Sequence, residues 1–123
     1  MNTVIIGLGS NIHPEENISE AIRLLGESVT ILKVSNLVRT SPVGITEQPD
    51  FINGAIKILT GYSKDNLLPI LKHIEDALGR NRSLPKFGPR TIDLDIIVWN
   101  GEIIHDDYYL RDFIRNSVQE LLE

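Results

Sequence analysis

The chain has no cysteine in its 123 residues. Disulfides and thiolate metal sites are therefore excluded, and a reducing compartment fits. It has no excess of positive charge either: the formal net charge is −5, so the molecule as a whole repels nucleic acid and anionic membrane, and neither is expected as a partner. The amino terminus, from Met1 to Asn11, lacks both a basic region and a long apolar span. No signal peptide or membrane helix is expected there, and the cytoplasm is the expected location. Repeats and low-complexity segments are lacking. The three histidines, His13, His73 and His105, are scattered without ligand spacing, which argues against zinc. The glycines at 7 and 9 do not make a dinucleotide fingerprint, because Ile12 stands where a third glycine belongs; no Gly-Lys-Ser/Thr follows to make a phosphate-binding loop. They are read as allowing tight backbone geometry.

What remains is ordinary for a globular protein, with 41% apolar and 24% charged residues. That length supports one domain, spanning 1–123, with a core that needs no staples. Thr3 to Leu8 reads as a buried strand entering a turn at Gly7–Asn11. Ile18, Ala21, Ile22 and Leu25 follow a helical period that Gly26 ends. Val29 to Thr40 is rich in β-formers whose alternation slips, predicting a long strand with a bulge or bend. A polar loop from Thr40 to Pro49 follows, either a binding loop or a plain surface connection. Phe51 to Thr60 alternates as a strand with Asn53 on one side. That asparagine is either a satisfied structural residue or reads a heterocycle edge.

Ser63 is placed to cap a helix carrying Leu67, Ile70, Leu71, Ile74 and Leu78 up to Gly79, with Pro69 expected to kink it or shorten its start. Glu75, near the negative end of that helix, calls for a pairing with Arg80 and Arg82 or a ligand. In the last strand, Ile92, Leu94, Ile96 and Val98 are expected on one face, and Asp93, Asp95 and Ile97 on the other. Asn100-Gly101 signals a turn, and the tail reads as a strand fragment and a terminal helix. The order β-α-β-β-α-β points to an α+β, ferredoxin-like sandwich: an antiparallel four-stranded sheet with helices on one face and the other face open.

The chemistry concentrates between Arg80 and Asp95. Arg80, Arg82, Lys86 and Arg90 form a run of cations without an acid, and Asp93 and Asp95 follow it. Two residues along a strand span about 6.6 Å, so both carboxylates project side by side and repel each other unless something positive sits between them. Hard oxygen donors in small number suit Mg²⁺, which takes the rest of its shell from water and substrate phosphates. The arginines can grip phosphates in a bidentate manner, and Phe87 offers a stacking face. The alternative is that the aspartates simply pair with Arg90 and Lys86 at the surface.

The run Gly88-Pro89-Arg90-Thr91-Ile92-Asp93-Leu94-Asp95-Ile96 resembles the signature of the 6-hydroxymethyl-7,8-dihydropterin pyrophosphokinase family. The likeness extends to Gly9-Ser10-Asn11, Arg39 to Gly44, Gln48 to Asn53, and Ile74-Glu75 through Gly79-Arg80 and Arg82. It implies transfer of diphosphate from ATP to the hydroxymethyl group of the pterin, with release of AMP. It further implies two Mg²⁺ ions held by Asp93 and Asp95, and Arg80 and Arg90 as cations of the catalytic loop. Glu75, Arg82, Ile96 and Arg111 match positions that contact ATP. Thr40, Pro42, Val43, Phe51, Asn53 and Phe113 match the pterin pocket, and Phe87 stands where many members have Trp. Typical members continue with a Pro-His-containing loop before an Arg-x-Phe segment; here that loop is lacking and Arg111-Asp112-Phe113 is a shortened counterpart. Two other functions fit less of the pattern: a nucleotide- or pterin-binding module without turnover, and a metal-dependent nuclease.

Overall fold

A computed structural model describes residues 1–122. The elements run β1 (Asn2–Ser10), α1 (Pro14–Gly26), β2 (Thr30–Val34), β3 (Val38–Thr40), β4 (Phe51–Thr60), α2 (Lys64–Ala77), β5 (Asp93–Trp99), β6 (Glu102–Ile103), α3 (Asp107–Leu110) and α4 (Asp112–Leu122). All pairings are antiparallel, in the order β2-β4-β1-β5-β6, with β3 also pairing with β4. The expected α+β order is present: β2, β4, β1 and β5 form its four strands, and β3 and β6 extend it. The slipping alternation of 29–40 becomes two short strands on the same partner, β4, because the chain breaks at Ser35–Leu37. There the Ser35 hydroxyl accepts from Ala55 N (2.8 Å) in place of a strand partner.

One face carries the main core. Val4, Ile6, Leu8, Ile56, Ile58, Leu94 and Ile96 pack against Ile18, Ala21 and Leu25 of α1 and Leu67, Leu71 and Ile74 of α2. The Ser63 hydroxyl caps α2 by accepting from Asn66 N (3.2 Å), and Pro69 is accommodated within the helix without shortening it. Gly79 closes it at φ +87°, a conformation glycine adopts without a Cβ penalty.

The opposite face is not open along its length, contrary to expectation. Val118 and Leu121 of α4 cover Ile5, Ala55, Ile97 and Val98. These apolar side chains on the second face are the reason: leaving Ile5, Ile97 and Val98 in water would cost about 1.5–3 kcal/mol each. Val98 joins this cluster rather than the main core because the β1–β5 register shifts between Ile5 and Ile6, and the extra residue turns the side chains beyond it to the other face. Only the half of the face beyond α4 remains uncovered.

Candidate active site

The uncovered half-face is floored by glycine. In the pairing register Gly9 of β1 lies between Asn53 of β4 and Asp93 of β5, and Gly7 lies between Ala55 and Asp95. Adjacent strands stand about 4.8 Å apart, so Asn53 and Asp93 face each other across about 10 Å with no side chain between them. A Cβ on Gly9 would come within 2.7 Å of Asn53 Oδ1, and one on Gly7 within 3.2 Å of Ile97. These glycines lie inside the strand, not in a turn. Their bare faces, rather than backbone freedom, open the floor.

A cleft of about 580 Å³ stands on this floor. Thr40, Ser41, Val43, Phe51 and Asn53 line one side, and Arg80, Lys86, Phe87, Gly88 and Arg90 line another. Asp93 and Asp95 lie on the floor, and His105, Asp107, Leu110, Arg111, Phe113 and Ile114, from the segment through α3 into the first turn of α4, form a wall. The Asn53 amide donates to Thr40 Oγ1 (2.5 Å), which holds its carboxamide in a fixed orientation between β3 and Gly9.

Asp95 is the electrostatically perturbed group. Burial, then the neighbouring Asp93, pushes its carboxyl up to about 7, against the pull of His105. Two carboxylates side by side with too little positive charge fit a divalent cation bound by oxygen and completed by ligand phosphates. Among the described residues no three or more His, Cys, Asp or Glu side chains are grouped so that they could hold a metal ion, so a protein-only cage is not present there. The surface-pairing alternative is disfavoured: the cation on Asp93 is Arg80 (Nη1–Oδ1 3.3 Å), not Arg90 or Lys86.

Arg80 is held from behind. Glu75, only 5% exposed, pairs with Arg80 (3.3 Å) and Arg82 (3.2 Å) and accepts from Leu94 N (2.9 Å). That answers the question of an acid at the negative end of a helix. Arg80 Nε is buried without a hydrogen-bond partner. Arg90 is placed differently from a free phosphate grip: its guanidinium donates to the carbonyls of Gly88 (3.0 Å), Pro89 (3.1 Å), Pro85 (3.2 Å) and Lys86. It thereby folds the loop onto itself, and burial lowers its pKa from the usual value.

The structure brings together Thr40, Val43, Phe51, Asn53, Arg80, Arg90, Asp93, Asp95, Arg111 and Phe113 at one cleft. It does not bring in Glu75 and Arg82, which sit behind Arg80, nor Pro42, which lies between two lining residues. The Ile96 side chain is in the main core on the far face. His105, Asp107 and Leu110 line the cleft but carry no local sequence signal; only the packing of α3 and α4 puts them there.

The family model described as 7,8-dihydro-6-hydroxymethylpterin-pyrophosphokinase matches residues 5–123. A 2-amino-4-hydroxy-6-hydroxymethyldihydropteridine pyrophosphokinase of Bacillus subtilis is 38% identical, over 99% of this chain and 79% of its own length. The protein of the same name from Haemophilus influenzae is 35% identical, over 93% and 78%. The "Bifunctional protein FolKE" of Lactococcus lactis subsp. cremoris is 40% identical over 99% of this chain, which spans 38% of that relative.

Proposed function

The chain belongs to the 7,8-dihydro-6-hydroxymethylpterin-pyrophosphokinase family, a pyrophosphokinase of folate synthesis, and from that premise we propose how its cleft works. The substrates are ATP and 6-hydroxymethyl-7,8-dihydropterin, and the compartment is the cytoplasm. The hydroxymethyl oxygen attacks the β-phosphorus of ATP and gives up its proton; the bond from that phosphorus to the α–β bridging oxygen breaks, and AMP departs with the oxygen.

The observation that carries this reading is the row Asn53–Gly9–Asp93. It sets a hydrogen-bonding carboxamide and a carboxylate pair on one floor, with space for a flat heterocycle between them. Asn53, fixed by Thr40, reads the pterin edge, while Phe51, Phe113, Val43 and Pro42 enclose its faces. Arg80 and Arg111 bind phosphate oxygens, and Arg90 keeps the phosphate-side loop in shape. Glu75 and Arg82 orient Arg80, and Ile96 anchors β5 in the core so that its two aspartates face the cleft.

Asp93 and Asp95 would hold two Mg²⁺ ions, which when bound neutralise phosphate charge and lower the pKa of the attacking hydroxyl. The chain's own contribution is placement: holding two substrates in reacting geometry removes much of the entropic barrier of a bimolecular step. The test is AMP release from ATP, expected only with the pterin and Mg²⁺ both present. ATP turnover independent of the pterin would overturn the assignment.

A further inference from the structure

We propose that Glu120 of α4 is a positioning residue for the pterin-binding side of the cleft: its carboxylate takes the N–H of Asn36 and so fixes the bulge that turns Thr40 toward Asn53. The inference rests on the two-substrate reading above and adds to it a residue that lies outside the cleft.

The bulge is legible in the strand register. Val34 of β2 lies opposite Ile56, and Val38 of β3 lies opposite Asn53, so three residues, Ser35, Asn36 and Leu37, stand against two, Gly54 and Ala55. One extra residue in a strand transfers the side chains beyond it to the other face of the sheet. Val34 packs on the face that α1 and α2 cover; in an unbroken register Thr40 would follow it there, and Arg39 would point to the cleft. The extra residue reverses this. Thr40 lies opposite Phe51 on the cleft side, and its Oγ1 accepts from the Asn53 amide on the diagonal (2.5 Å).

A bulge leaves its extra residue without a strand partner. Its neighbours are satisfied locally: Ser35 N donates to Ala55 O (2.9 Å), and the Ser35 hydroxyl accepts from Ala55 N (2.8 Å) and donates to Asn36 O (3.0 Å). Leu37 closes over β4, where a Cβ on Gly54 would stand 2.6 Å from its Cδ2. The Asn36 N–H is met from a distant element. Glu120 Oε1 and Oε2 accept it at 3.0 and 3.2 Å.

Glu120 stands in the last turn of α4, a turn without a basic residue. A negative charge at that end opposes the helix dipole, so helix formation does not account for an acid here; the bond to Asn36 does. Val118 and Leu121, both fully buried, dock α4 on Ile5, Ala55, Ile97 and Val98 and so hold Glu120 at the bulge.

The test compares steady-state kinetics of four variants of the full chain. In Glu120→Ala the KM for the pterin is expected to rise about tenfold, the size of one hydrogen bond to a charged acceptor, with the KM for ATP and kcat within about twofold of the wild type. Glu120→Gln keeps an acceptor oxygen and restores the pterin KM to within about twofold. In a Thr40→Val background Glu120→Ala adds less than about twofold, because both substitutions act through the same contact. Val118→Ala loosens α4 without touching the carboxylate and leaves the pterin KM unchanged. A wild-type pterin KM in Glu120→Ala, a glutamine variant as impaired as the alanine, full additivity with Thr40→Val, or an equal rise in Val118→Ala overturns the proposal. Hydrogen exchange supplies a readout independent of turnover: the amides of Val38 to Thr40 should exchange about tenfold faster in Glu120→Ala than in the wild type, with those of β1 unchanged. Equal exchange also overturns the proposal, whereas faster exchange in a protein whose wild type releases no AMP would instead overturn the reading of the site.

Discussion

Glu75 Oε2 accepts the backbone N–H of Leu94 at 2.9 Å, and Leu94 is the residue between the two cleft aspartates. The end of α2 is thereby fastened to the strand that presents them, by the same carboxylate that pairs with Arg80 and Arg82. Removing one partner of a buried ionic network leaves the others uncompensated. Glu75→Ala is expected to cost about 3 kcal/mol of stability, measured by urea unfolding, and to lower the affinity for ATP by releasing Arg80. An unfolding midpoint equal to that of the wild type would contradict this account of Glu75.

Asp95 links the cleft to stability. Its folded pKa of about 7 lies above the ordinary aspartate value of 3.8, so the folded state holds the proton more tightly. The stability this confers is full at and below the unfolded pKa and is lost as pH rises through 7. In EDTA, the melting temperature of the wild type should therefore fall between pH 5 and pH 8 by more than that of Asp95→Asn. At pH 8 the variant should melt several degrees higher. Its activity should drop on the order of a thousandfold, because several kcal/mol of charge stabilisation go with the carboxylate.

Gly9→Ala tests the floor. The new methyl must displace the Asn53 carboxamide, whose oxygen stands 2.7 Å from the Cβ position. The KM for the pterin should rise about tenfold, with ATP affinity unchanged, since a misplacement on this scale is costly in a positioned site. Gly26→Ala serves as the control: its nearest contact is Ile31 Cδ1 at 3.5 Å, and steady-state kinetics should not change.

Arg90→Lys keeps the charge and loses the planar fork. A single ammonium cannot serve the carbonyls of Pro85, Lys86, Gly88 and Pro89 together. The segment around Phe87 should loosen, and trypsin should cut after Lys86 about fivefold faster than in the wild type, because cleavage follows the population of the open loop. Equal cleavage rates would show that the guanidinium is not what shapes the loop.

Local pattern carried much of this protein. The period of Ile18 to Leu25 and of Leu67 to Leu78 marked two helices, and the alternation at Asp93 and Asp95 put both carboxylates on one face, because side-chain direction in helices and strands follows spacing alone. The GPRTIDLDI run marked the candidate site, as its arginine and two carboxylates lie within a few residues of each other in the chain. The strand order, the bulge that turns Val98 to the second face and the docking of α4 over half of that face rest on contacts between residues distant in sequence. So do the placing of Gly9 between Asn53 and Asp93, the use of Arg90 on its own loop, and the place of His105 in the wall. A single residue's type and neighbours do not encode which strand it will lie beside; that was decided by burial of the two apolar faces and by the register that burial imposed.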